Sequence, residues 1–95
     1  MSGPHDPKSL GKIVVAAAGT PVAVKSSSFQ VQQATFQSDP LNAGTYMLIE
    51  DSAGNIMARI TKGQSFTPPN IGPFDLNSIK LDSDTNGDGC FVSYV

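Results

Sequence analysis

The chain has 95 residues, enough for one domain but a small one, and a domain of this size removes only about 60–68% of its unfolded surface from water. With 39% apolar and only 15% charged residues, it can build a core beneath a surface of Ser, Thr, Gln and Asn. A net charge of −2 with scattered Lys and Arg excludes a phosphate-tracking stripe, so nucleic acid is not an expected partner.

Residues 1–11, MSGPHDPKSLG, hold two prolines and two glycines, with Leu10 their one large apolar side chain after the initial Met. They are expected to form an extended N-terminal arm, leaving residues 12–95 as the folded domain. Lys12 followed by IVVAAA, with small Ala16 and Ala18, imitates a secretion leader. The apolar run falls short of the roughly 7–15 residues such a leader needs, and Pro4, Asp6 and Pro7 interrupt it, so cleavage is not expected. No run approaches the roughly 20 apolar residues of a membrane helix.

KIVVAAA and VAV are β-branched runs separated by GTP, which predicts a kinked strand or a tight hairpin at Pro21. In SFQVQQATF, Phe29 and Val31 alternate with Gln30 and Gln32, and the phase then slips. A β-bulge at Gln32 and Gln33 would return Phe36 to the core. TYMLIED and NIMARIT flank Ser52, Ala53 and Gly54 and predict a hairpin, with Ile56, Ala58 and Ile60 sharing a face. Pro68, Pro69 and Pro73 confine any strand at residues 65–67 to an edge. SIKLDSD and CFVSYV close the chain as two strands with Ile79 and Leu81 pointing inward. No segment carries a sustained helical period. The fold class is therefore all-β: a single β-sandwich or jelly-roll-like domain of about seven or eight short antiparallel strands.

DSDTNGD, residues 82–88, raises the main chemical question. Asp82, Asp84, Asn86 and Gly87 match the opening of an EF-hand calcium loop, but its twelfth position is Ser93 rather than a bidentate Glu, and the flanks are strands. Asn86-Gly87 is also a strong hairpin-turn signal, because both central residues of a type I′ turn need positive φ, and Asp88-Gly89 repeats it. The hairpin is the preferred reading and no metal is expected. Asp82, Asp84, Asn86 and Asp88 are the weak metal candidates, with Asp75 a further carboxylate.

Cys90 is the one cysteine, so no internal disulfide or zinc spacing is available. His5 lies far from it in sequence. No phosphate loop, dinucleotide fingerprint or HExxH is present, so neither an enzyme nor a cofactor is expected.

The segments AAGTPVAV, VQQATFQSDPLNAGTYMLIED and KGQSF…FDLNSIKLDSDTNGDG…VSYV resemble small β-sandwich virion proteins of tailed bacteriophages. In that group a Gly-Thr-x-Val opening, an N-x-G-x-x-Y middle and a DLNxIxxD…NGxGVxxxY close recur. The likeness spans residues 17–95; the arm and the proline-rich segment 68–73 depart from it. It implies a compact sandwich that decorates or cements a capsid without catalysis, bound to the major capsid protein on the virion surface after synthesis in the host cytoplasm. It also implies a homo-oligomer on the particle, with trimers at local three-fold positions one arrangement. The residues expected to touch a partner are Pro4, His5, Pro7 and Leu10 in the arm, with Pro68 and Pro69. The alternatives are a tail or head-tail connector component, or a module recognising host-surface sugar or calcium through residues 82–88.

Overall fold

A computed structural model of the chain describes residues 7–69 and 73–95. Its strands are β1 (Lys8–Val14), β2 (Val22–Ala23), β3 (Gln30–Val31), β4 (Ala34–Ser38), β5 (Tyr46–Glu50), β6 (Ile56–Thr61), β7 (Ser65–Phe66), β8 (Phe74–Asp75), β9 (Lys80–Ser83) and β10 (Gly89–Tyr94). The one helical element among the described residues is the 3-10 turn Leu76–Ser78. One sheet has the order β1-β10-β4-β7 and the other β2-β9-β5-β6, while β3 and β8 form a two-stranded ribbon. All pairings are antiparallel. The fold is an all-β sandwich, as the alternating patterns predict.

Side-chain alternation explains which face of each sheet turns inward. Ala34, Phe36 and Ser38 of β4 are buried, as are Cys90 and Val92 of β10, while Gln37, Phe91 and Ser93 face out. Met47 and Ile49 of β5, Ile60 of β6 and Leu81 of β9 meet them from the second sheet in one apolar cluster. Phe36, Met47, Ile49, Leu76 and Leu81 are wholly buried, and burying each contributes about 1.5–3 kcal/mol.

The β5–β6 hairpin forms where its turn chemistry places it. Asp51 accepts the N–H groups of Ala53 and Asn55, each at 2.9 Å, and Gly54 supplies the positive φ of 87° that closes the turn. Of the residues expected to share a face, Ile60 is buried and Ala58 half-buried, but Ile56 lies exposed beyond a register shift between Ile49 and Glu50.

Four local expectations are corrected. Lys8, Ser9 and Gly11 pair with Tyr94, Ser93 and Val92, so the folded domain starts before Lys12 and the expected arm over residues 1–11 does not hold for its last four. The ladder bonds are made by backbone, which needs no apolar side chains, and a bulge between Ser9 and Gly11 with Gly11 at φ 76° lets Leu10 pack against the core. The chain around Pro21 makes no hairpin, because β1 and β2 belong to different sheets. Gln32 and Gln33 are likewise no bulge: there the chain passes from the β3–β8 ribbon to β4, held by hydrogen bonds between both residues and the Val95 backbone. Finally, Asn86-Gly87 joins β9 of one sheet to β10 of the other, so the expected hairpin is an arch between sheets. Gly87 has φ 86°, but no residue other than glycine has positive φ among the described residues, which rules out the type I′ turn.

Candidate functional site

The arch over residues 84–88, with Asp82 just before it, packs acidic and amide side chains against two other loops. Alternate residues reach opposite ways. Asp82 accepts the Gly19 N–H at 2.9 Å, and Asn86 accepts the Ala18 N–H at 2.7 Å. Asp84 accepts the Thr45 N–H on both carboxylate oxygens, at 3.1 and 3.0 Å. Asp88 takes the Ala43 N–H at 2.9 Å and the Gly44 N–H at 2.8 Å. The two clasped loops carry the same Ala-Gly-Thr triplet, at residues 18–20 and 43–45. The period-two spacing that imitates a calcium loop is thus the spacing of a two-sided clasp.

Electrostatics agree with that role. Asp84 is held below the ordinary carboxylate range, first by the Thr45 backbone N–H. Asp82 and Asp88 are buried, and a buried carboxylate requires such donors. Ser83 Oγ donates a further hydrogen bond to Asp88 Oδ2, at 3.5 Å. Gly44 is required by space: a Cβ there would fall within 2.7 Å of Asp88 Oδ2 and against Asp84 Oδ1 and Thr85 Oγ1. An ion entering this cluster would have to displace backbone N–H partners. Among the described residues, no group of three or more His, Cys, Asp or Glu side chains is arranged to hold a metal.

Asp75 belongs to a different contact. It accepts from Ser28 Oγ at 2.6 Å and from the Phe29 and Asn77 N–H groups at 2.9 and 2.8 Å, capping the 3-10 turn. The Ser28 hydroxyl is the leading cause of its lowered pKa. Cys90 is fully buried, and desolvation pushes its thiol up to about 12, so it is protonated at neutral pH and unsuited to nucleophilic attack.

The described residues among those expected to touch a partner lie in separate places, Pro7 lining one depression and Pro68 and Pro69 another. Pro4 and His5 lie outside the described residues. Pro7 is exposed, whereas Leu10 packs against the core and Pro68 is buried. Pro69 is exposed beside Pro68, and both line a cleft of about 240 Å³ with Met57, Phe74 and Ile79. The cleft adjoins the start of β6, a strand at the open side of its sheet, where Ile56 is 56% and Met57 38% exposed. Sequence reading missed this apolar strip because Ile56 sits in phase with the buried Ile60. The register shift opposite Glu50 is what turns it outward. No transmembrane-length apolar helix occurs among the described residues.

Comparison of the chain with protein-family models, with curated proteins and with solved structures finds no significant match.

Proposed function

We propose that the chain is a non-catalytic structural protein of a phage particle, a decoration or cement protein that binds the major capsid protein. The carrying observation is the exposed Ile56–Met57 end of β6 beside the cleft of Pro68, Pro69 and Phe74. An unpaired strand edge with large apolar side chains is a liability for a free monomer, and an assembly that covers it removes that liability. The motif order of residues 17–95 supports the same reading, as does the use of the acidic cluster for loop clasping. On the particle the chain acts as an oligomer, with trimers at local three-fold positions the arrangement to examine.

The test mixes the purified chain with particles assembled without it and counts bound copies after sedimentation. Saturable binding at capsid stoichiometry is expected, and Ile56→Lys with Met57→Lys should lower it at least about tenfold, since a buried charge is costly to desolvate. Failure to bind any particle sinks the proposal. Labelling confined to the tail or the connector would reassign the chain to the other location.

A further inference from the structure

Asn86-Gly87 is the one Asn-Gly pair in the chain, and it carries a reactivity that the clasp does not use. Glycine has no Cβ to shield its backbone nitrogen, so that nitrogen can attack the Asn86 carboxamide carbon. The Gly87 N–Cγ bond forms, the Cγ–Nδ2 bond breaks, and the carboxamide nitrogen leaves as ammonia with the proton that Gly87 gives up. One water then opens the five-membered imide. Addition at Cγ leaves an ordinary aspartate; addition at the main-chain carbonyl leaves isoaspartate, whose backbone is one methylene longer.

Asn86 and Gly87 are both exposed, so water reaches them and steric cover does not protect them. Hydrogen bonds do. Asn86 Oδ1 accepts the Ala18 N–H at 2.7 Å, which holds the carboxamide on the loop between β1 and β2. The attacking nitrogen is held from the same loop: Gly87 N–H donates to the Val15 carbonyl at 2.8 Å, and Val15 N–H donates in return to the Asp88 carbonyl at 2.8 Å. Ring closure needs the Gly87 nitrogen without its proton, and a carbonyl acceptor favours the protonated form. Val15 is wholly buried, so its backbone leaves the arch only by a local opening of the sandwich. Residues 15–18 therefore restrain the electrophile and the nucleophile together.

We infer that Asn86 is a site of self-modification gated by residues 15–18: the closed contact preserves the carboxamide, and each opening lets Gly87 attack it. The isoaspartyl product cannot restore the closed contact, because the longer backbone between residues 86 and 87 displaces the Gly87 N–H from Val15. Since the arch joins the two sheets, the product is a one-way record of its opening. The reaction consumes only water and needs no partner, so it does not rest on the capsid reading.

The experiment incubates the full chain at mildly alkaline pH, folded in buffer and unfolded in urea, and follows ammonia release and peptide maps that separate aspartyl from isoaspartyl products. Modification is expected to be fastest at Asn86 and at least about tenfold slower in the folded chain than in the unfolded one. Below the unfolding transition, its rate should rise with urea in step with hydrogen exchange at the Gly87 amide. Ala18→Pro supplies a local variant. Thr20 N–H donates to the Ala17 carbonyl at 3.0 Å and Gly19 has φ 84°, the pattern of a type II turn with Ala18 at the position proline favours. The substitution keeps that turn and removes the N–H that restrains Asn86. Folded Ala18→Pro should deamidate about two- to tenfold faster than the unmodified chain, the span one hydrogen bond supplies, and at the same rate in urea. Equal rates in the folded and unfolded chain overturn the inference, as does a rate that ignores Gly87 exchange, a measurement that stands even if the variant fails to fold. An unchanged or slower rate in folded Ala18→Pro overturns it too, because the Ala18 N–H would then not restrain the carboxamide. The isolated isoaspartyl chain should melt below Asn86→Asp, which has the ordinary backbone; equal melting overturns the one-way record.

Discussion

Asn42 pairs with Gly89 as a neighbouring strand would. Its carboxamide oxygen accepts the Gly89 N–H at 2.9 Å, and its nitrogen donates to the Gly89 carbonyl at 2.9 Å and to Ser38 Oγ at 3.1 Å. Asn42 is buried, so its side chain satisfies the first residue of β10 where water cannot. Gly89 has little space for anything more: a Cβ would fall 2.8 Å from Lys12 Cγ and 3.1 Å from the Ile13 carbonyl oxygen.

Asn42→Asp should expose this pairing through pH. An ionised Asp keeps the acceptor for the Gly89 N–H but turns a second oxygen toward the Gly89 carbonyl, where only a donor fits. The folded protein therefore favours the neutral acid and raises its pKa above the unfolded value of about 3.9. Stability relative to the unmodified chain should be near normal below that value and should fall as pH rises through it, by about 1–3 kcal/mol at pH 7. Denaturant melts of both proteins at pH 3 and pH 7 measure the difference; a deficit equal at the two values would remove Asn42 from this role.

Gly44→Ala asks whether the clasp is as tight as its geometry. The added methyl meets carboxylates that already hold the Ala43 and Gly44 N–H groups, so the loop must shift and its hydrogen bonds lengthen. A loss of about 1–3 kcal/mol is expected. Asp88→Ala, which leaves two backbone donors unpaired at a buried site, should cost about 2–4 kcal/mol. Adding millimolar calcium to the unmodified chain should leave the melting temperature in place, because the oxygens in question already have partners. A calcium-dependent rise of many degrees, lost in Asp84→Ala, would restore the ion-binding reading.

The contrast between the two turn regions explains what the sequence discloses. Asp51 and Gly54 close the β5–β6 hairpin with contacts no more than four residues apart, so a short window contains the whole cause. Ile79 and Leu81 point inward as their alternation predicts. The Asn86-Gly87 turn carries an equally strong local signal and still misleads. Its strands choose partners from distant segments, β2 and β5 for one, β1 and β4 for the other. Its side chains reach backbone 39 to 68 residues away. Nothing within DSDTNGD distinguishes a pairing between its own flanks from one with those segments.

Glu50 provides a second pH test of opposite character to the aspartates. It lies buried on β5 opposite Lys80, and its pKa is raised first by desolvation and then by the nearby Asp82 charge, with Asp51 adding to the effect and Lys80 opposing it. Its ionisation thus disfavours the fold as pH rises above the ordinary value of 4.5. Asp39, Asp51, Asp75 and Asp84 are lowered below 3.8 by hydrogen bonding, so they contribute stability above that value and lose it as pH falls through their folded pKa values. Glu50→Gln should raise the melting temperature at pH 7 and leave it unchanged at pH 3, where the native Glu is already neutral. An equal shift at both values would mean that packing, not charge, is responsible.

Removal of residues 1–11 tests where the domain begins. The truncation deletes the pairs of Lys8, Ser9 and Gly11 with the C-terminal half of β10 and takes Leu10 from the edge of the core. Each lost backbone hydrogen bond costs about 0.5–1.5 kcal/mol net, and the half-buried Leu10 contributes about 1 kcal/mol more. The sum is about 2–4 kcal/mol, which lowers the melting temperature of a domain this size by about 10 °C or more. Leu10→Ser in the full chain isolates the side-chain share and should produce a smaller fall. Newly exposed backbone on β10 should also make the truncated chain associate at high concentration, visible by sedimentation. A truncated protein that melts with the full chain and stays monomeric would show that β1 adds nothing before Lys12, and the domain boundary would return to that residue.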